Sequence, residues 1–314
     1  MPDSIVVIGS LNMDFVLAVE RLPMPGETIL GHGFRTIPGG KGANQAYAAA
    51  KLAGDGIAVR MLGRVGADSF GSVLKRNLEA AGVDVAGVME TASEATGVAC
   101  IHVDDTGQNS ITVAPGANAL LSPADIGSLH DGALDDARCV LLQLEVPLET
   151  VAEGLRKARR QGAIGILDPA PAQILAAEIL ELVDIATPNE NEACVLAGVA
   201  PARFNPSEAA AIGRRILERG VGSVIVKLGD QGCVYCGRDR TIVAPPFAVR
   251  AVDSTAAGDT FNAALAVALV EHFDIERALR FANAAAAISV TRSGAQTSAP
   301  TRDEVEALLA QSGA

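Results

Sequence analysis

Residues 251–262 read Ala-Val-Asp-Ser-Thr-Ala-Ala-Gly-Asp-Thr-Phe-Asn and lead into an apolar stretch running to about Glu271. A run of small residues at a helix start leaves free backbone amides that attract anions, and lets a phosphate come close to them. Asp259 falls in the first turn of that helix. A carboxylate there works against anion binding alone, but it suits phosphoryl transfer. It can orient an alcohol and take its proton while the loop amides hold the charge. A helix-capping aspartate fits the same spacing.

Three further segments carry chemistry. Gly39-Gly40-Lys41-Gly42-Ala43-Asn44-Gln45 opens another helix. It is not a Walker A loop, which needs Gly-Lys followed by Ser or Thr. Glycines with a lysine and an asparagine suit a phosphate or a polyhydroxylated ligand, and a plain tight turn is the competing reading. Ser10-Leu11-Asn12-Met13-Asp14 follows the first strand, where ligands sit in open α/β sheets. Asn12 and Asp14 are two apart and point the same way on extended backbone. An amide plus a carboxylate holds vicinal hydroxyls; turn formation explains the residues equally. Glu145 takes an equivalent strand-end position. Asn189-Glu190-Asn191-Glu192 opens a helix after a buried strand, and its oxygens suit magnesium, directly or through water. N-capping competes there.

The elements that would position these residues alternate between strand and helix. Apolar runs at 5–9, 59–63, 140–144, 164–168, 185–187 and 223–228 read as buried parallel strands. Helices at 68–81, 148–161 and 207–219 lie between them, with Gly82, Gly162 and Gly220 just past their ends. Thr301 and Glu304 have capping-box spacing at the last helix. The implied fold class is α/β, a three-layer α/β/α sandwich with a mostly parallel central sheet. Residues 15–38 and 96–113 break the alternation. The second reads as a hairpin turning at Asp104–Gly107, and together they read as a small β-sheet projecting from a body of residues 1–14, 39–95 and 114–314. Two unrelated surface loops remain the alternative.

The 314 residues carry a formal net charge of −12, which disfavours nucleic acid as a partner. No apolar run reaches a membrane span, and residues 1–9 show no targeting signal, so a cytoplasmic location is expected. Five cysteines, an odd number, argue against a disulfide framework. Cys233 and Cys236 have CxxC spacing, but the histidines at 32, 102, 130 and 272 do not pair with them at zinc-ligand spacing. On a strand, residues three apart face opposite ways, so the pair reads as core.

Taken in order, the segments resemble the ribokinase-like carbohydrate kinase family from Ile5 to the last helix. Gly39–Asn44 is similar to its N-terminal sugar-binding signature, Asp253–Asn262 to its C-terminal catalytic signature, and Asn189-x-x-Glu192 to its magnesium motif. The resemblance implies a β-sheet lid over the sugar site, pairing with a second subunit's lid in a homodimer. It implies phosphoryl transfer from ATP to D-ribose, giving D-ribose 5-phosphate, with Asp259 as base and residues 256–258 as anion hole. Asn12, Asp14, Gly40, Lys41, Gly42, Asn44 and Glu145 match the sugar contacts. Asn189, Lys227, Leu228, Gly229, Asp230, Gln231, Gly232, Gly258 and Asn283 match the nucleotide site. Asp253, Thr255, Ser289, Arg292, Gly294 and Ser298 match a potassium loop built largely from carbonyls. Lys227 stands where family members acting on ribose often carry threonine.

Deoxyribose, fructose or a nucleoside such as adenosine are the rival substrates. With no Trp and two Tyr, material to stack on a base is sparse. A non-catalytic sugar sensor would not need Asp259. A dinucleotide-dependent oxidoreductase would need G-x-G-x-x-G where the chain reads Gly9-Ser10-Leu11-Asn12.

Overall fold

Strand β1 (Asp3–Ile8) shows why a three-layer body forms: Ile5 and Val7 join one apolar cluster, Val6 and Ile8 the other, and all four are fully buried. A strand apolar on both faces needs cover on both. The computed structural model describes residues 3–128, 134 and 136–312, so His130 lies outside the described residues.

The chain continues through β2 (Asn12–Val19), β3 (Gly31–Gly39), α1 (Lys41–Leu52), β4 (Ile57–Gly66), α2 (Ser69–Ala80), β5 (Val88–Thr91), β6 (Gly97–Asp104) and β7 (Asn109–Ala114). Next come α3 (Pro123–Ser128), β8 (Ala137–Leu142), α4 (Leu148–Gln161), β9 (Ile164–Leu167), α5 (Ala177–Leu180), β10 (Ile185–Ala186), α6 (Glu190–Ala197) and α7 (Pro206–Leu217). Last are β11 (Ser223–Lys227), β12 (Cys233–Cys236), β13 (Thr241–Ala244), α8 (Ala257–Val270), α9 (Ile275–Ser289) and α10 (Arg302–Gln311).

Among the described residues the main sheet has nine strands in the order β13-β12-β11-β10-β9-β8-β1-β4-β5. Only the β11–β12 and β12–β13 pairings are antiparallel. One face is covered by α1, α2, α8, α9 and α10, the other by α3 to α7. Cys233 and Cys236 separate onto the two opposite clusters as strand geometry requires, and all five cysteines are free. Chain direction across the sheet reverses beside β1, which lies between β4 and β8. The crevice at that switch point is where α/β sheets take ligands.

The second sheet, β3-β2-β6-β7, stands apart. The Asp104 carboxylate receives the amides of Thr106 and Gln108 at the β6–β7 turn, which makes the hairpin a local, sequence-encoded unit. Strand β2 begins at Asn12, so Asn12 and Asp14 belong to this sheet and hang over the crevice. The six-residue pattern of β7 and the first six residues of β3 are exposed.

The predicted helix limits hold to within two residues. Gly162 caps α4 in the left-handed region at φ 72°, and the Thr301–Glu304 capping box opens α10. β5 and β13 carry no strong apolar run and were not expected.

Candidate active site

The walls of the site are the carboxyl ends of β1, β8, β9, β10 and β11. At the end of β1, the Ser10 hydroxyl donates to Glu145 Oε2 at 2.5 Å, and the Lys41 amide donates to the same oxygen at 3.1 Å. The Ala43 amide donates to the Ser10 carbonyl at 2.9 Å. The first amides of α1 are therefore satisfied by the β1 end and by Glu145, which fixes the helix start on the crevice. Gly42 permits this approach: a Cβ there would lie 2.6 Å from the Ser10 nitrogen. Gly40, at φ 89°, makes the turn into the helix in a region closed to L side chains.

Asp259 lies in the first turn of α8 and is 5 % exposed. It caps no amide. Instead Asn44 Nδ2 donates to Oδ2 at 3.0 Å and Gln45 Nε2 to Oδ1 at 3.1 Å, so its carboxylate is held by α1. The capping alternative thereby falls. Burial pushes its pKa up to about 6; Lys41 and the two amides oppose this, and Asp168 adds to it. Ala256, just before α8, sits in the left-handed region at φ 57°, a strained conformation costing about 1–3 kcal/mol that is typical of functional turns. The Ala257 amide is taken by the Ser254 carbonyl and that of Thr260 by Ala256. No such partner meets the amides of Gly258 and Asp259 among the described residues, so of the expected 256–258 set the Ala257 amide is occupied and that of Gly258 is open.

Asp14 faces this centre. Burial, then Glu145 and Asp259, raise its pKa to about 7, against the pull of Lys41. Burial alone would lower the pKa of Lys41, but Asp259, Asp168, Glu145 and Glu192 outweigh it and raise the value. Lys41 is thus a fixed cation among carboxylates. Asn12 is 2 % exposed and accepts from Asn118 Nδ2 at 2.8 Å. Asn118 also bonds both backbone groups of Leu11, which fixes the strand where it enters the second sheet.

Beside this polar patch opens a cleft of about 1230 Å³, lined by Lys41, Asn189, Glu192, Lys227, Gly258, Asp259 and Asn283, among others. Of the expected nucleotide segment, Lys227, Gly229, Asp230 and Gly232 line it. Two expected residues do not. Leu228 packs its side chain into the core, at 2 % exposure, and Gln231 turns away to donate to the Phe204 carbonyl. Asn283 spends its amide on the Ala244 and Pro245 carbonyls, holding the loop after β13 that borders the cleft.

Asn189 and Glu192 form a capping box on α6: the Asn189 amide donates to Glu192 Oε2 at 2.7 Å and the Glu192 amide to Asn189 Oδ1 at 2.9 Å. Burial raises the pKa of Glu192, against Lys227. Among the described residues no three His, Cys, Asp or Glu side chains are grouped to hold a metal. A magnesium ion that keeps waters and rides on phosphates needs only one or two carboxylates, and Glu192 on the cleft wall fits that demand.

The residues expected for a potassium loop lie on two segments that the structure brings together. The Asp253 carboxylate takes the amides of Thr255 and Gly294, both at 2.9 Å, tying 253–255 to 289–298. The hydroxyls of Ser289 and Ser298 bond back to local carbonyls, and the Arg292 side chain pairs with Glu304. Gln296 links this loop to Asn44, the partner of Asp259, donating to Asn44 Oδ1 at 3.2 Å.

Four residues that matter here were not expected: Gln45, Gln143, Asp168 and Gln296. Gln143 Nε2 donates to Gln45 Oε1 at 2.7 Å, and Gln45 spans Asp259 and Asp168. Asp168 had a signal. It ends an apolar run as Glu145 nearly does. The three glutamines meet partners 98 to 252 positions away, and nothing local marks them.

Residues 2–302 match the model of the pfkB family of carbohydrate kinases. The chain belongs to that family. This pfkB kinase is 43 % identical over 307 residues to the ribokinase of Bacillus subtilis, covering 98 % of this chain and 99 % of that one. It is 37 % identical over 306 residues to the deoxyribokinase of Salmonella typhimurium, covering 97 % and 98 %. It superimposes with TM-score 0.88 and 36 % identity on the Arabidopsis thaliana ribokinase complexed with ribose and ATP, covering 98 % and 99 %. The second sheet, the α1 start and the α8 start of this pfkB kinase are therefore parts of a family architecture.

Proposed function

We propose that the protein is a kinase that transfers the terminal phosphoryl group of ATP to the primary hydroxyl of D-ribose, giving D-ribose 5-phosphate. The single observation that carries this is Asp259. It is a buried carboxylate, held by Asn44 and Gln45 against the anion-binding start of α8, between a nucleotide-sized cleft and a polar patch. The similarity to ribokinases over nearly the whole chain supports the choice of sugar.

In this reading Asp14, Lys41, Asn44 and Glu145 bond the sugar hydroxyls and aim the primary hydroxyl at the cleft. Asp259 Oδ accepts its proton as the oxygen attacks the terminal phosphorus and the bond to the ADP oxygen breaks. The free amides at the α8 start carry the developing charge. Asn189 and Glu192 would hold magnesium, through water or directly, and the ion would offset phosphate charge. Asn12, Asp14 and the rest of the second sheet form a lid over the sugar. The test is steady-state kinetics with a sugar panel: D-ribose should show the highest kcat/KM, above 2-deoxyribose, fructose and adenosine. A 2-deoxyribose value equal to that of ribose would favour the deoxyribokinase-like reading, since a site that bonds the 2-hydroxyl rejects its absence.

Potassium belongs to the same reading. A loop of carbonyls with Asp253 suits a weakly hydrated ion, and Gln296 joins it to Asn44 and so to Asp259. Potassium should raise kcat and sodium substitute poorly; equal rates in potassium and tetramethylammonium at matched ionic strength would refute the site.

The protein is further read as a cytoplasmic homodimer through the lid. Phe34, Ile111 and Val113 on that sheet are 63 %, 54 % and 42 % exposed, an apolar cost best relieved by a second copy. Light scattering should give twice the 32.1 kDa chain mass, and Phe34→Glu should shift it toward the monomer.

A further inference from the structure

Lys227 ends β11 with its ammonium 14 % exposed, against Asp168 Oδ1 at 3.1 Å. Its Nζ also lies 3.3 Å from where a Cβ on Gly258 would stand. Lys227, which lines the cleft together with Lys41 and Arg203, is therefore the cation placed against the anion-binding start of α8. The Asp168 carboxylate is 3 % exposed, and its other oxygen is bonded by Gln45, the residue that also bonds Asp259. A salt bridge this deeply buried gains little stability for its desolvation cost, so stability alone is a weak reason for it.

We propose that Lys227 is a catalytic residue that contacts the transferring phosphoryl group and compensates its charge, with Asp168 as a positioning residue. This rests on the kinase reading above. As the sugar oxygen bonds to phosphorus and the ADP oxygen departs, negative charge spreads over the equatorial oxygens beside Gly258. Lys227 needs only a small swing from Asp168 to meet them. No proton leaves the ammonium; the hydroxyl proton goes to Asp259. Asp168 keeps the lysine close while no nucleotide is bound. Through Gln45 it ties the position of the cation to that of the base.

The experiment compares wild type, Lys227→Met, and the double variant Lys227→Met/Asp168→Asn. Lys227→Met should lower kcat by about 10–100-fold, the scale of one lost charge-stabilising donor in a partly open site. Affinity for ADP with aluminium fluoride and ribose, a mimic of the transferring state, should fall by a similar factor while affinity for ADP alone hardly moves. The double variant removes the unpaired buried carboxylate, so its melting temperature should return toward wild type while kcat stays low. Recovery of kcat together with melting temperature would make the pair structural and overturn the proposal. Equal losses for ADP and for the fluoride complex would reduce Lys227 to ordinary nucleotide binding and also overturn it. A wild type that phosphorylates none of the panel sugars would overturn the kinase reading and this inference with it; a variant matching an active wild type would overturn the inference alone.

Discussion

Asp259→Asn should lower kcat by about 10²–10⁴-fold, the usual contribution of a general base, and leave the fold intact. The substitution preserves shape, and of the two donors, Asn44 Nδ2 on Oδ2 and Gln45 Nε2 on Oδ1, one keeps an oxygen to bond while the other meets the new amide nitrogen. What is lost is the proton acceptor. The native pKa of about 6 makes the wild-type group a working base at neutral pH, since burial raises it while Lys41 and the amides keep it from rising further. In wild type, kcat/KM should therefore rise with pH through the region of about 6 to 7, where Asp259 and its neighbour Asp14 ionise in the free enzyme. The residual activity of Asp259→Asn should lose the Asp259 part of that limb. Stability runs the other way. Both carboxyls titrate near 3.8 when unfolded and higher when folded, so the native state holds more protons between those values and loses stability as pH rises through them. A variant with near-normal kcat would leave Asp259 without a catalytic role.

How far the sequence reached depended on where the information sat. The buried strands were legible because parallel strands covered on both faces are continuous apolar runs, as Val140 to Leu142 and Val224 to Val226 show. Helix ends were legible because caps are local: Asp68 and Asn205 each accept from amides within three residues, and the Thr301 amide donates to Glu304 three residues on. The short edge strands β5 and β13 gain their order from a neighbouring strand rather than from their own composition. At the site, Asp259, Lys41 and Asn44 stood in compact segments with glycine or alanine around them, a pattern that few structural needs produce. Gln45 stood in the same segment and passed as filler, since its meaning lies in touching Asp168 and Gln143 from other strands. The capping box of Asn189 and Glu192 illustrates the opposite case. Spacing alone offered a cap and a metal motif, and the geometry realises the cap while leaving Glu192 on the cleft wall.

Asp14→Ala should raise KM for ribose by about 10²-fold or more while the KM for ATP stays essentially unchanged. Ribose is neutral, so its affinity must come from hydrogen bonds. A carboxylate bonding two hydroxyls contributes about 1.5–3 kcal/mol for each, and every 1.4 kcal/mol is tenfold. Asp14 is placed for this on β2, above the α1 start: a Cβ on Gly39 would lie 2.2 Å from its Oδ2, so glycine there makes room for the carboxylate. ATP affinity is spared because Asp14 does not line the cleft beside Lys227 and Asn283. Charge makes the role of Asp14 separable from packing. Glu145 and Asp259 help hold its pKa at about 7, so below that pH the group is protonated and accepts less well. The wild-type KM for ribose should accordingly rise as pH falls below about 7, and Asp14→Asn should show a high KM with that dependence flattened. Asp14 is still protonated where Asp259 ionises, near 6, so the remaining acid limb should stay near that pH. Steady-state kinetics of the two variants across pH 5.5–8, about two units around the native values, would check all three outcomes. A KM for ribose that is unchanged in both variants would remove Asp14 from the sugar site.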